Sequence, residues 1–230
     1  MRAPLSVIIP TLNAADALEN SLPMLAEGLQ TGLIRELIIS DGGSGDATLQ
    51  IADAAGAVVV NGAPSRGGQL HRGALAASGE WMLFLHADTV LPNGWVELVE
   101  QQFRKSAPAY FKLRFDRVGM RPSLVAAWAN FRARALGLPY GDQALLISRH
   151  DYATAGGYPD IPLMEDVALV RSLPKITAMP ASVTTSAARY EREGWLRRGG
   201  RNLSLLMRYL SGADPNDLAR RYGGDLRTRV

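Results

Sequence analysis

The chain has 230 residues, is 47% hydrophobic and has a mean hydropathy of -0.02, the balance of a soluble globular protein able to bury a substantial core. No apolar run reaches the roughly 20 residues that span a bilayer, and a sequence without cysteine excludes disulfides, thiolate catalysis and Cys-ligated zinc. The net charge of +3 conceals an asymmetry: residues 185–230 carry ten arginines, no lysine and five acids, net +5, which leaves −2 for the preceding 184 residues.

A basic C-terminal segment points to phosphate-bearing ligands or an anionic membrane surface. A solvated helical face accounts for most of these arginines as well. The start, Met1-Arg2-Ala3-Pro4, runs directly into a strand-like segment with no signal-peptide pattern, so the cytoplasm is the expected compartment.

In chain order, residues 5–10 read as a first buried strand, closed by Pro10, which cannot donate to a sheet ladder. Asn13 is placed to cap the next helix, with Asp16 near its positive end. Leu18, Leu22, Leu25 and Leu29 fall on one helical face, and Pro23 predicts a kink or restart there. Residues 37–39 form a second strand running into Ser40-Asp41-Gly42-Gly43-Ser44-Gly45-Asp46. A helix containing Leu49 and Ile51 leads to a third strand, residues 57–60, and Ser65-Arg66-Gly67-Gly68 opens a helix that ends toward Gly79.

The organising stretch is residues 80–92. Trp81-Met82-Leu83-Phe84-Leu85 is a continuous apolar run that suits a strand buried on both faces, and it stops at His86-Ala87-Asp88-Thr89. A carboxylate at the carboxyl end of such a strand sits where open α/β sheets bind ligands, although Asp also caps turns. Short alternation of strand and helix predicts a parallel sheet with right-handed crossovers.

Beyond Asn93, Phe111, Leu113 and Phe115 alternate with Lys112 and Arg114, as in a strand with one wet face. Residues 123–136 read as helix, 144–147 as strand, and Glu165-Asp166 opens a helix whose apolar positions include Val167, Leu169 and Val170. The economical organisation is one α/β domain over residues 1–184, with a helical basic appendage, residues 185–230, packed on it.

The loops bearing Asp41, Asp88 and Glu165-Asp166 converge on one edge if their strands are neighbours. Carboxylates beside an arginine suit a diphosphate held with Mg2+ or Mn2+, hard cations that take oxygen ligands and keep waters. The ordered series, residues 6–13 (SVIIPTLN), 41–46 (DGGSGD), His86-Ala87-Asp88, Gly156-Gly157 and Glu165-Asp166, resembles the motifs of the family 2 glycosyltransferases over roughly the first three-quarters of the chain. The resemblance implies the GT-A fold, a Rossmann-like, mostly parallel sheet, and inverting transfer of a sugar from a nucleotide sugar.

It further implies roles for single residues. Pro10 and Thr11 would line the nucleoside pocket, Asp41 would contact the base, and Arg66 would lie near base or diphosphate. Asp88 matches the last aspartate of the Asp-X-Asp metal motif. Asp166 matches the aspartate taken as the catalytic base, with Glu165 beside it and Gly156 and Gly157 turning beside the acceptor. Family habit favours a UDP-type donor.

Two positions depart from the pattern: His86 replaces the first aspartate of Asp-X-Asp, and Gly42 the second aspartate of the base-binding loop. Both weaken the case for a tightly held metal and leave Asp88 to act with diphosphate oxygens and water. His86 suits ribose, metal or simple packing; His71 and His150 read as structural or solvent-facing. Leu-His-Ala-Asp-Thr, Tyr140-Gly-Asp-Gln143 and residues 157–166 look more like a small bacterial subgroup labelled by radical-SAM or selenium-related association. That comparison turns Tyr140, Asp142 and Gln143 toward the acceptor, whereas their plain reading is a turn entering a strand. Arg189-Tyr190 is weakly similar to a diphosphate-side signature of processive members.

Past Glu193, Trp195, Leu196, Leu203, Leu205, Leu206, Met207, Tyr209 and Leu210 mix with arginines. The mixture suits a helix packed on the domain or a homodimer contact ahead of a basic amphipathic helix on anionic lipid, which would serve a lipid-linked acceptor. Two other functions remain open to the sequence. A nucleotidyltransferase would need a Gly-rich basic loop where Pro10-Thr-Leu-Asn-Ala-Ala15 stands, and a non-catalytic nucleotide- or sugar-binding module is opposed by an intact Asp166. No nucleic-acid recognition motif accompanies the basic tail.

Overall fold

The computed structural model describes residues 3–223, so the Met1-Arg2 start and Arg227 and Arg229 of the basic tail lie outside the described residues. Its strands are β1 (Leu5–Thr11), β2 (Ile34–Asp41), β3 (Val58–Asn61), β4 (Trp81–Phe84), β5 (Thr89–Val90), β6 (Ala109–Phe115), β7 (Leu145–Ser148) and β8 (Thr177–Thr185). Its helices are α1 (Ala15–Ser21), α2 (Ala26–Gln30), α3 (Thr48–Ala54), α4 (Arg66–Ala76), α5 (Trp95–Lys105), α6 (Met120–Leu136), α7 (Arg149–Thr154), α8 (Glu165–Arg171), α9 (Ala188–Glu193), α10 (Trp195–Leu210) and α11 (Pro215–Gly223).

The strands make one sheet in the order β3-β2-β1-β4-β7-β6-β8-β5. The first four are parallel, as the alternation of strand and helix requires. The expected parallel run stops at β7, which pairs antiparallel with both β4 and β6, while β6 and β8 are parallel and β5 joins β8 antiparallel. This mixed, mostly parallel α/β sheet with C-terminal helices is a GT-A-like fold.

Period-2 alternation divides the apolar strands between two layers. Leu5, Val7, Ile9 and Leu83 face the core that holds Leu18, Leu25 and Trp95. Ile8, Met82 and Phe84 face the opposite layer, against Leu70 and Ala74 of α4 and Ile38 of β2. Each such side chain, removed from water, contributes about 1.5–3 kcal/mol before conformational entropy is set against it.

Two local expectations are corrected. Asn13 does not cap α1: it sits at φ 48°, its side-chain oxygen accepts from the Gly45 N–H at 2.8 Å, and the Ala15 N–H at the helix start donates instead to Asp46 Oδ2 at 3.1 Å. The loop after β2 supplies the acceptor because it folds across the end of β1. Pro23 restarts the helix as expected, through a 3-10 turn over Leu22–Leu25. That tighter turn shifts the phase, so Gly28 faces the interior while Leu29, expected on the buried face, is exposed.

The sheet order positions the site. Strands β1 to β3 are added toward one edge and β4 is placed on the other side of β1, so the strand order switches between the parallel neighbours β1 and β4, and ligands of open sheets bind outside the carboxyl ends at such a switch. Phe84 at the end of β4 pairs with Leu145 at the start of antiparallel β7. The loop entering β7 therefore lies at the same edge as the loop leaving β4, which is why residues 140–143 stand beside residues 86–88.

Candidate active site

At this edge a cavity of about 830 Å³, counting the part open to solvent, is lined by Arg66, His86, Asp88, Tyr140, Asp142, Glu165, Asp166 and Arg189, among others. Four of the expected site residues, Arg66, Asp88, Glu165 and Asp166, thus meet in one place. Pro10, Thr11 and Asp41 lie to one side at the ends of β1 and β2. Gly156 and Gly157 do not line the cavity: they turn the chain after α7, at φ 86° and 70°, with Gly157 against the ring of Tyr152. The expected acceptor-side turn is therefore, in this structure, a packing turn beneath Tyr152.

Asp41 is fully buried and accepts from Thr11 Oγ1 at 2.8 Å, Ser44 Oγ at 2.6 Å and the N–H groups of Gly43 and Ser44, both at 2.7 Å. Burial raises its pKa, but these hydrogen bonds, led by Ser44, outweigh it and hold the carboxyl below its ordinary value. The carboxylate expected to meet a base meets its own loop. Gly42 has a neighbour that explains its small size: a Cβ there would lie 3.1 Å from Gln69 Oε1, and Gln69 Nε2 donates to Thr11 O at 2.7 Å and Ser40 O at 3.0 Å.

Arg66 joins two walls of the cavity. Its Nε stands 3.5 Å from Glu165 Oε1 and its Nη2 stands 3.1 Å from His86 Nε2. An arginine only donates, so Nε2 accepts and the His86 proton sits on Nδ1. Burial and the cations Arg66 and Arg189 hold that imidazole well below its usual pKa, so it is neutral. Gly141 makes this placement possible, because a Cβ there would fall 2.5 Å from His86 Nε2.

The carboxylates differ sharply in their partners. Asp166 Oδ2 accepts from the Gly141 N–H at 2.9 Å and Oδ1 from the Val167 N–H at 2.7 Å, which fixes its orientation at the start of α8. Glu165 is almost wholly buried, and burial pushes its pKa up to about 7; Arg66 opposes that shift and Asp166 adds to it. Asp142 is pushed up to about 6 by burial, against Arg132 and with Asp166 and Asp88. Its Oδ1 is buried without a hydrogen-bond partner. Asp88 faces the cavity, and its carboxylate makes no hydrogen bond or ion pair with the described residues. Backbone strain lies at both loops: Ala144 and Met164, two of the four non-glycine residues at positive φ among those described, flank the 141–143 turn and α8.

Tyr140 and Asp142 line the cavity, whereas Gln143 is fully buried and accepts from the Tyr140 N–H at 3.3 Å and Arg132 Nη2 at 3.4 Å. The Arg132 guanidinium lies 3.3 Å from the Tyr140 ring centroid. Of the far wall, Tyr190 of α9 is marked in the sequence only by a weak signature, and Arg198, Asn202 and Leu205 of α10 are not singled out there as site residues. They are held there by Tyr190 and Trp195 stacking at 4.9 Å, by Trp195 and Phe115 meeting edge-on at 5.0 Å, and by the Arg198–Glu193 pair at 2.8 Å. His150 is exposed and His71 half-buried, away from the cavity.

Gly67 ties the 159–161 loop to α4. Its N–H donates to Ile161 O at 3.2 Å, and a Cβ would lie 2.1 Å from Pro159 O and 2.7 Å from Ile161 O. Backbone cannot yield as a side-chain tip can, so Gly67→Ala is expected to destabilise the fold by about 1–3 kcal/mol. Urea unfolding checks this; an unchanged midpoint would show that the loop moves freely away from α4.

As a donor set, the cavity offers carboxylate oxygens, and no group of three or more His, Asp or Glu side chains able to hold a metal exists among the described residues. Asp88, with no hydrogen-bond or ion-pair partner among the described residues, fits a hard cation completed by ligand oxygens and water. His86 Nε2 is engaged by Arg66 and so does not face a metal here.

The cavity thus lies at the switch point of a GT-A-like sheet, lined by carboxylates and arginines. Residues 6–133, more than half of the chain, match the family Glycosyl transferase family 2, and the chain belongs to that family. It is 40% identical over 106 residues to PGL/p-HBAD biosynthesis glycosyltransferases of Mycobacterium tuberculosis and Mycobacterium bovis, an alignment covering 40% of this chain and 38% of theirs. The chain thus spans well under half the length of the curated relatives it matches.

Among solved structures, glucosyl-3-phosphoglycerate synthase of Mycobacterium tuberculosis, bound to Mn2+, UDP and glucosyl-3-phosphoglycerate, aligns with TM-score 0.56 and 24% identity over 80% of this chain and 71% of that one. S. aureus TarS 1-349 aligns with TM-score 0.64 and 16% identity over 94% of this chain and 68% of that one. At these identities the likeness is one of fold. The radical-SAM-associated subgroup receives no support from these comparisons.

Proposed function

We propose that this chain transfers a sugar, with inversion, from a UDP-type nucleotide sugar to an acceptor hydroxyl. The observation that carries the reading is the pairing, in one cavity at the switch point, of a carboxylate without a hydrogen-bond or ion-pair partner among the described residues, Asp88, and one fixed by two backbone N–H groups, Asp166. Asp88 would hold Mn2+ or Mg2+, which when bound neutralises charge on the diphosphate leaving group. Asp166 removes the acceptor proton as the oxygen attacks the anomeric carbon. Because no second carboxyl has to protonate the leaving group, one displacement suffices and the configuration inverts. Arg66, held by Glu165 and His86, presents a cation to the diphosphate. Asp41 acts through the Gly42–Ser44 backbone it organises, beside Pro10 and Thr11, where the nucleoside would lie. The donor class is supported by the UDP and Mn2+ bound in glucosyl-3-phosphoglycerate synthase.

The test is calorimetric titration with UDP, GDP, CDP, dTDP and ADP, with and without Mn2+. UDP binding that strengthens with Mn2+, and loses that gain in Asp88→Ala, is the expected result. No binding to any of the five would sink the donor site and restore the reading of a decayed binding module.

A further inference from the structure

The helix α6 is apolar on two faces. One, with Ala129 and Ala133, is buried on the sheet. The other, Met120, Leu124, Trp128 and Phe131, recurs at spacings of four, four and three residues and stands in solvent, at 80%, 63%, 44% and 60% exposure. A helix apolar all round is ordinarily buried all round. Its neighbour α10 repeats the pattern: Leu196, Leu203, Met207 and Leu210 form a narrow exposed stripe, while Arg198, Asn202 and Leu205 on the opposite side line the cavity. Two adjacent helices therefore show apolar faces to solvent, and Trp128 and Phe131 lie side by side with ring centroids 5.9 Å apart.

Charge selects the occupant. Neither α6 nor α10 contains an aspartate or glutamate, and Arg121, Arg134, Arg197 and Arg208 are exposed on them. None of the four is ion-paired among the described residues. A second copy docked face to face about a two-fold axis would set these arginines against their own kind. A surface apolar at depth and anionic at its rim accepts both features: acyl chains take the Trp, Phe and Leu side chains, and lipid phosphates take the guanidinium groups.

We infer that the paired outer faces of α6 and α10 form a docking surface for an anionic phospholipid membrane. Docking sets the cavity one helix, about 10 Å, from the lipid headgroups, because α10 serves both. The inference needs no step of the sugar-transfer reading.

Flotation of the full chain with vesicles of phosphatidylcholine alone or with phosphatidylglycerol, in the absence of nucleotide, tests it. Binding to the anionic vesicles and not the neutral ones, weakened by salt, is expected. Trp128→Ser with Phe131→Ser should lower the partition coefficient at least tenfold while circular dichroism stays unchanged. Arg197→Gln with Arg208→Gln, which leaves the apolar stripes intact, should lower it about 25-fold, at roughly fivefold for each arginine lost near a charged surface. No flotation with anionic vesicles, or flotation that both double variants retain, overturns the inference. So does a dimer in sedimentation that Phe131→Ser dissociates, since a second copy would then own this face.

Discussion

Asp166→Asn is expected to lower turnover between about 10²- and 10⁴-fold, the range supplied by a positioned general base, while UDP affinity stays within about twofold. The asparagine keeps the shape of the side chain and one oxygen for the two donors that hold it, the N–H groups of Gly141 at 2.9 Å and Val167 at 2.7 Å. It loses the capacity to take a proton, and its amide nitrogen meets an N–H donor where an oxygen stood. UDP release from a UDP-sugar measures the loss even without a known acceptor, since water can take the acceptor's place.

The other cavity carboxylates are poorer candidates, for separate reasons. Glu165 is sealed against Arg66, and Asp142 buries its unpartnered oxygen away from solvent. Asp88 is the group left for the cation. If Asp166→Asn turned over at the wild-type rate and Asp142→Asn did not, the base would be Asp142, and the orientation of Asp166 by two backbone donors would serve only to start α8.

What the sequence made legible follows from locality. The strands of residues 5–11 and 81–84 announce themselves because every residue in them is apolar or small and both faces are covered. Asp88 and Asp166 were readable because each ends or begins an element whose pattern is clear. β8 was missed for a physical reason: Pro180 stands inside it, and proline ordinarily excludes a segment from a sheet interior. Pairing with β6 slips between Tyr110 and Lys112, opposite Ala178 and Ser182, so the irregularity absorbs Pro180.

The Arg66–His86–Glu165 link joins three distant segments, with α4 packed against α8, and no local pattern encodes it. The outer stripe of α6 was hidden by its own hydrophobicity. A helix with apolar residues on two sides does not show from sequence which side is core, and only the packing shows which side has no partner.

Protein stability should fall as pH rises from about 4.5 to about 7, and Glu165→Gln should abolish much of that fall. The proton inventory gives the sign. Glu165 has an ordinary pKa of 4.5, which burial raises to about 7 in the folded chain. Between those values the native state holds a proton that the unfolded state has released, so stability decreases with pH there. The full stabilisation is present below 4.5 and is gone once pH has passed the folded value. A displacement of this size corresponds to about 3 kcal/mol, or roughly 6–12 °C in Tm for a chain of this length.

Asp142, raised to about 6, contributes a slope of the same sign over the lower part of the range and remains in the variant. The variant should therefore match wild type near pH 5, where a protonated carboxyl and an amide are alike, and exceed it near pH 8. A Glu165→Gln protein less stable than wild type at pH 8 would mean that the ionised pair with Arg66 wins over burial. With burial the larger effect, the group is costly to hold at neutral pH. Its location accounts for its presence: Glu165 meets Arg66 Nε at the cavity, while Arg66 Nη2 meets His86. The gain in stability should therefore come with weaker UDP binding, because Arg66 loses one of the groups that aim it.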